Sequence, residues 1–273
     1  MPSRPLLALV LGAAGACALA QSPPPAEPVV VTAGFATPRD ARTLGELMRA
    51  RALFEQLRAL SPDGELSFRV LARLNGSQAD RLGVQLVTAA GRVDIPLDDQ
   101  SRFVLQPQWE NLPPDTAVRS RVRDGGVVWR SDVRTPGLPE NTRRLGDLRL
   151  QCKLDWGVPL GRTGLGVSGT SLVVAKNQCE SEWTGAMNSQ FADRPVLAID
   201  LVHGTRRERL SYFHLHGAGD NAPTRLLSGL TDWAHQLKDH MYRLPLHDRS
   251  WPDDALVEFT FMDPAVRLNE ERL

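Results

Sequence analysis

With 273 residues, and 32 basic residues balanced by 32 acidic ones, the chain carries no net field to draw in a polyanion, so nucleic acid is excluded as an expected partner. The length allows one large domain or two smaller ones, and no stretch past the N-terminus approaches the roughly 20 apolar residues of a membrane helix. Arginine supplies 29 of the 32 basic residues, the lysines being Lys153, Lys176 and Lys238; a bias spread over the whole chain reads as codon usage and marks no site.

Arg4 precedes an apolar run from Leu6 to Val10 that continues through small residues, and Ala18-Leu19-Ala20 has the small-x-small pattern of signal-peptidase cleavage before Gln21. Residues 1–20 are therefore expected to be an export signal. The competing reading lipidates Cys17, but Ala14-Gly15-Ala16 lacks the branched residue that such signals carry three positions before the cysteine. Cleavage removes Cys17 and leaves Cys152 and Cys179 in an oxidising compartment, where an even pair predicts a disulfide. Closing that 27-residue ring is worth ~3.6 kcal/mol on the chain-entropy estimate. A two-cysteine metal or redox site lacks the CxxC spacing and a nearby histidine.

Residues 21–42, with Pro23-Pro24-Pro25, read as a linker. Thr43 and Glu46 then form a capping-box pattern, each side chain satisfying a backbone donor at a helix start, and Leu47, Ala50, Leu53, Phe54 and Leu57 fall on one face. Pro62-Asp63-Gly64 ends the helix, and Arg49, Arg51 and Arg58 flank its stripe as solvated residues. From Glu65 the period becomes two: Leu66, Phe68, Val70, Ala72 and Leu74 alternate with Ser67, Arg69 and Arg73 up to an Asn75-Gly76 turn. Further strands are expected at 82–88, 92–97, 102–105, 117–123 and 127–133, the spacing of a small sandwich or barrel.

Within this region Gly91-Arg92-Val93-Asp94-Ile95-Pro96-Leu97 followed by Arg102-Phe103-Val104-Leu105 resembles the carboxypeptidase-regulatory-like and transthyretin-like β-sandwiches over about sixty residues. The order of leader, β segment and the passage VRTPGLPENTRRLGDLRLQC resembles a group of uncharacterised exported bacterial proteins of proteobacterial type. The second resemblance implies export and a shared fold and brings no functional residues.

Thr135 to Cys152 reads as a proline-rich crossing that runs into an alternating strand ending on Cys152. A glycine-rich loop, 157–169, follows inside the disulfide ring, then strands at 196–202 and 209–216. Leu226, Leu230, Trp233, Leu237 and Met241 make a helical stripe over 221–241, and Ala255, Val257, Phe259 and Phe261 alternate in a last strand.

All six histidines lie beyond residue 200. His214 and His216, two apart on an expected strand, share a face and could hold zinc or copper with His203 or Asp220, although surface or hydrogen-bonded histidines explain the pair better. Asp232, His235 and Asp239 form a polar row on the expected helix, equally explained by solvation, and His240 reads as a buried histidine bonded to backbone. Arg119, Arg121 and Arg123 line one face of one expected strand; they suit an acidic envelope polymer or, as a solvated face, neighbouring carboxylates. No GxSxG elbow, dinucleotide fingerprint, phosphate loop, HExxH or calcium loop occurs.

The expected fold is α+β and β-rich: a helix plus a sandwich-like domain over 43–135, then a mixed α/β domain over 136–273. The expected function is that of a periplasmic or secreted accessory or binding protein with no cofactor, its partner an envelope component or another protein. The alternative is a metal-dependent periplasmic enzyme using His214 and His216.

Overall fold

The computed structural model describes residues 41–72, 82–122, 127–158, 179–180, 190–210 and 240–263, all within one compact unit, Thr37–Leu273. The expected signal, nearly all of the linker, the Asn75-Gly76 turn, almost all of the glycine-rich loop, residues 211–216 and most of the 221–241 helix lie outside the described residues. Within the described residues the fold is a β-rich α+β structure with two α-helices, neither long and apolar enough to cross a membrane.

The described elements follow one plan twice. The first round is β1 (Ala41–Thr43), α1 (Leu44–Gln56), β2 (Glu65–Ala72), β3 (Val84–Thr88), β4 (Gly91–Ile95), β5 (Arg102–Phe103) and β6 (Ala117–Ser120), with β7 (Val127–Arg134) after it. The second is β8 (Thr142–Arg144), α2 (Leu145–Gly157), β9 (Gln190–Phe191), β10 (Val196–His203), β11 (Arg206–Arg209), β12 (Met241–Tyr242) and β13 (Leu256–Phe261). Sheet order matches element for element: β1-β6-β3-β4 against β8-β13-β10-β11, and the pair β5-β2 against β12-β9, with β7 added to the free side of β2. All these pairings are antiparallel.

The match extends to single hydrogen bonds. Leu44 N and Gly45 N donate to Thr116 O and Pro114 O at 2.8 and 2.7 Å, while Leu145 N and Gly146 N donate to Ala255 O and Asp253 O at the same distances. Each helix thus starts by giving its otherwise orphaned first amides to the loop before the partner strand. Leu44-Gly45-Glu46-Leu47 and Leu145-Gly146-Asp147-Leu148 are the sequence counterparts, and glycine is needed because the loop passes so close. A Cβ would sit 2.9 Å from that loop in both rounds, from Pro114 O at Gly45 and from Asp253 O at Gly146, where it would also meet Leu60 O, in the turn after α1, at 1.9 Å. Core positions correspond too: Val84 with Ile199, Leu86 with Leu201, and Val118 with Val257, all buried.

Helix α1 has the expected capping box, Thr43 Oγ1 accepting from Glu46 N at 3.2 Å and Glu46 Oε2 from Thr43 N at 2.8 Å. Its buried stripe of Leu44, Leu47, Ala50 and Phe54 includes three residues of the expected face, and β1 takes in the last two residues of the expected linker. With Phe68, Val70, Val84, Leu86, Val118 and Trp129, most of that stripe closes the first core.

The expected strand leading to Cys152 is not a strand. After the three residues of β8 the chain turns into α2, and the alternation of Leu148, Leu150 and Cys152 with Arg149 and Gln151 reflects a helix buried nearly all round. Leu145, Leu148 and Cys152 enter the second core with Ile199, Leu201, Tyr242, Trp251 and Val257. Leu150 and Leu154 pack on Phe54 and Val133. Arg149 reaches the opposite loop, donating to Leu246 O at 2.9 Å, Trp251 O at 3.1 Å and Asp248 O at 2.6 Å, and pairing with Asp253 at 2.5 Å.

The remaining face of α2 lies along the outer side of β7. Asp147 accepts from Thr135 N at 2.9 Å, Gln151 from Val133 N at 3.4 Å and Asp155 from Ser131 N at 2.9 Å. Four residues of helix advance about 6 Å and two residues of strand about 6.7 Å, so an i, i+4, i+8 row meets every second amide of an antiparallel strand. Helix and strand come from either side of residue 135, where the two expected domains were divided, so that boundary is crossed by direct packing.

Other expected boundaries move. The strand at 102–105 stops at Phe103 and that at 117–123 at Ser120; Arg209 closes β11 where it was expected to open a strand; Met241 lies in β12 and not at a helix end. In each case the paired ladder stops there although the apolar pattern runs on, the last pairs being Phe103 with Phe68, Ser120 with Val84, and Arg209 with Asp200.

Candidate functional site

Cys152 and Cys179 are joined, their Cα atoms 6.0 Å apart, with Lys153 Nζ 2.5 Å from Glu180 Oε1 beside the bridge. His203, at the exposed end of β10, lies 3.6 Å from the exposed Asp254. His214, His216 and Asp220 lie outside the described residues, as do Asp232, His235 and Asp239. Among the described residues no group of three or more His, Cys, Asp or Glu side chains is placed to hold a metal ion. His240 is half-buried with Nδ1 3.2 Å from Ala192 O.

The arginine row does not stay on one strand. Arg119 belongs to β6, in register with Ala41 and Gln85; Arg121 follows the strand and pairs with Asp94; Arg123 lies outside the described residues. Asp94 also accepts from Gln85 Nε2 at 2.8 Å, and the hydrogen bond from Arg121 holds its carboxyl below the ordinary range.

The concentration of charge is elsewhere. Strand β2 turns Phe68 and Val70 into the first core and Ser67, Arg69 and Leu71 to the other face, which was expected to meet water. That face is covered instead: Leu71 and Val128 pack on Phe191 of β9, with Met241 alongside. Arg69 is therefore buried, directly opposite Arg102 on β5 and Arg130 on β7. Like charges facing each other across strands repel, so the row needs anions around it.

Two buried carboxylates supply part of that charge. Asp132, on the same face of β7, binds Arg102 Nε, Arg134 Nε at 3.0 Å and Arg143 Nη2 at 3.2 Å. Asp193, just past β9, binds Arg69 at 2.9 Å, Arg102 at 2.7 Å and Arg134 at 2.9 Å. Arg130 is matched separately by Asp155 at 3.0 Å. Burial by itself would raise the Asp132 carboxyl, but Arg143, Arg134, Arg102 and Arg69 together overcome it and hold the group well below the ordinary carboxylate range. Burial is overcome at Asp193 in the same way, by Arg134, Arg69 and Arg102. The Arg69 guanidinium is lowered too, by burial first of all, which Asp193 and Asp132 oppose and Arg102 and Arg134 reinforce.

Four guanidiniums, Arg69, Arg102, Arg134 and Arg143, thus share two buried carboxylates. A third, Asp98, is 51% exposed and reaches only Arg102, at 3.5 Å. Next to the cluster, Tyr242 is 1% exposed and its hydroxyl has no hydrogen-bond partner among the described residues, and neither does Arg143 Nε. The hydroxyl is in electrostatic reach of Arg143, Arg134, Asp132 and Asp193, and burial pushes its pKa up to about 12, so it stays a donor at neutral pH. The alternation Arg130, Asp132, Arg134 on β7 looks in sequence like an ordinary solvated face, so it does not mark the cluster.

Set against known proteins, the chain matches no protein-family model, no curated protein and no solved structure.

Proposed function

We propose that the chain is an exported accessory or binding protein, periplasmic or secreted, that works at the cell envelope without catalysing a reaction. The observation that carries this reading is the Cys152–Cys179 bond, which belongs to an oxidising compartment and fixes α2 to the segment entering β9. The leader pattern of residues 1–20 and the likeness in element order to exported bacterial proteins with sandwich-like segments support it. β-rich scaffolds of this kind present surfaces, so the binding role rests on the site and not on the fold.

The test follows the mature protein. Osmotic-shock fractionation of expressing cells is expected to release a chain beginning at Gln21 that takes up no alkylating reagent until it is reduced. Purified mature chain is then expected to co-sediment with isolated envelope material. A cytoplasmic chain with two free thiols, or one indifferent to envelope material, overturns the proposal.

A further inference from the structure

We propose that the arginine cluster between β2, β5, β7 and β8 is a binding site for an anionic oxygen group, a carboxylate or a phosphate, which enters past Arg134 and takes a hydrogen bond from Tyr242. This deepens the binding reading above and rests on it, by naming what is bound.

Charge comes first. Among the described residues, Arg69, Arg102, Arg134 and Arg143 outnumber Asp132 and Asp193 two to one in a place where water is largely excluded. Buried charge of one sign is stable only when matched, and the half-exposed Asp98 lies on the outer side of Arg102 alone. Hydrogen bonding points the same way. Guanidinium groups donate and never accept, and among the described residues Arg143 Nε has no acceptor and the protonated Tyr242 hydroxyl adjoining the cluster has no partner. A water molecule could accept from two such donors, but it would then need acceptors for its own hydrogens where donors are in excess, and it would leave the charge unmatched. A carboxylate or phosphate oxygen accepts from such donors and neutralises the surplus, and the arginine fork fits either group in two-point fashion. Access is given by Arg134, whose side chain is 28% exposed while that of Arg69 is buried.

The reserve of unpartnered donors makes a sharp test possible. Tyr242→Phe removes only a hydroxyl that has no hydrogen-bond partner among the described residues, so the melting temperature without ligand is expected to hold or rise. Mature chain would be titrated with inorganic phosphate and, separately, with acetate, by calorimetry and thermal shift, against sodium chloride at matched ionic strength. One of the two anions is expected to raise the melting point beyond chloride, and which one does so identifies the group. Tyr242→Phe is expected to weaken that binding about tenfold, and Arg134→Gln to weaken it by more, since it loses a charge-assisted contact. Arg51→Ala, at an exposed ion pair with Glu110 on α1, is expected to leave it unchanged. If neither anion exceeds chloride, or if both cluster variants bind as the parent does, the site is refuted. An exported, disulfide-bonded chain that fails this titration loses the site and keeps the function proposed above.

Discussion

The two rounds of the fold differ most where they correspond most closely. In the first, the cross-strand pair of β2 and β5 is Arg69 opposite Arg102; in the second, the same pair of β9 and β12 is Phe191 opposite Met241. The two surfaces meet face to face through Leu71, Val128, Phe191 and Met241, and one brings buried charge to the contact while the other brings apolar area. The helices differ in parallel. α1 is capped by its own side chains and shows one face to the core, whereas α2 has no side-chain cap and gives its polar residues to β7 and to the loop at 246–253. A single plan can therefore be filled in two ways, one self-sufficient and one held by its surroundings.

Asp132→Ala should have the largest effect. It strips the carboxylate shared by Arg102, Arg134 and Arg143 and is expected to cost about 4 kcal/mol in urea unfolding, in one transition that takes both rounds together. Two separate transitions would show that the rounds stand alone. The same residue gives a pH signature: its folded pKa is depressed, so the stability it confers is full above about pH 4 and drains away as the pH falls further toward the folded value, Asp193 contributing with the same sign. Acid unfolding of the Asp132→Ala chain should be correspondingly shallower.

Removing the bridge with Cys152→Ser and Cys179→Ser should cost ~3.6 kcal/mol, an effect with no counterpart in the first round, and reducing the parent chain should reproduce it. Gly146→Ala and Gly45→Ala compare the rounds directly. Alanine favours a helix interior, but a Cβ at Gly146 would overlap Leu60 O, so about 3 kcal/mol is expected there against about 1 at Gly45, where the approach is looser. Equal losses by thermal melting would mean that the two helix starts are equally tight. The smallest contrast is at the caps: Thr43→Ala should cost about 1 kcal/mol and Arg144→Ala, which loses no capping hydrogen bond and only a surface pair with Asp63, less than about 0.5.

How legible each part was follows from where its partners come from. α1 was readable because Thr43, Glu46 and the Leu47-Ala50-Phe54 stripe carry their information locally. The hairpin of β3 and β4 was readable for the same reason, as were the long alternations of β2, β7, β10 and β13. α2 was not, because its pattern of Asp147, Gln151 and Asp155 answers a strand that ended a dozen residues earlier, and buried polar residues blur the 3.6-residue period. One internal clue was present and unused: Leu145-Gly146-Asp147-Leu148 repeats Leu44-Gly45-Glu46-Leu47, which already opened a helix. The arginine cluster was illegible for a similar reason, since Arg69 on an alternating strand looks like a wet residue until β9 and β12 are laid over it.

Helix α2 has one more consequence, for the behaviour of the molecule in a crowded compartment. A sheet border with bare amides invites a passing extended segment from another molecule to add itself, the first step toward fibrils. Here the amides of Ser131, Val133 and Thr135 are already occupied by carboxylate and carboxamide oxygens that no stranger can extend into a further row. The chain thereby closes off one route to self-association with three side chains of a helix.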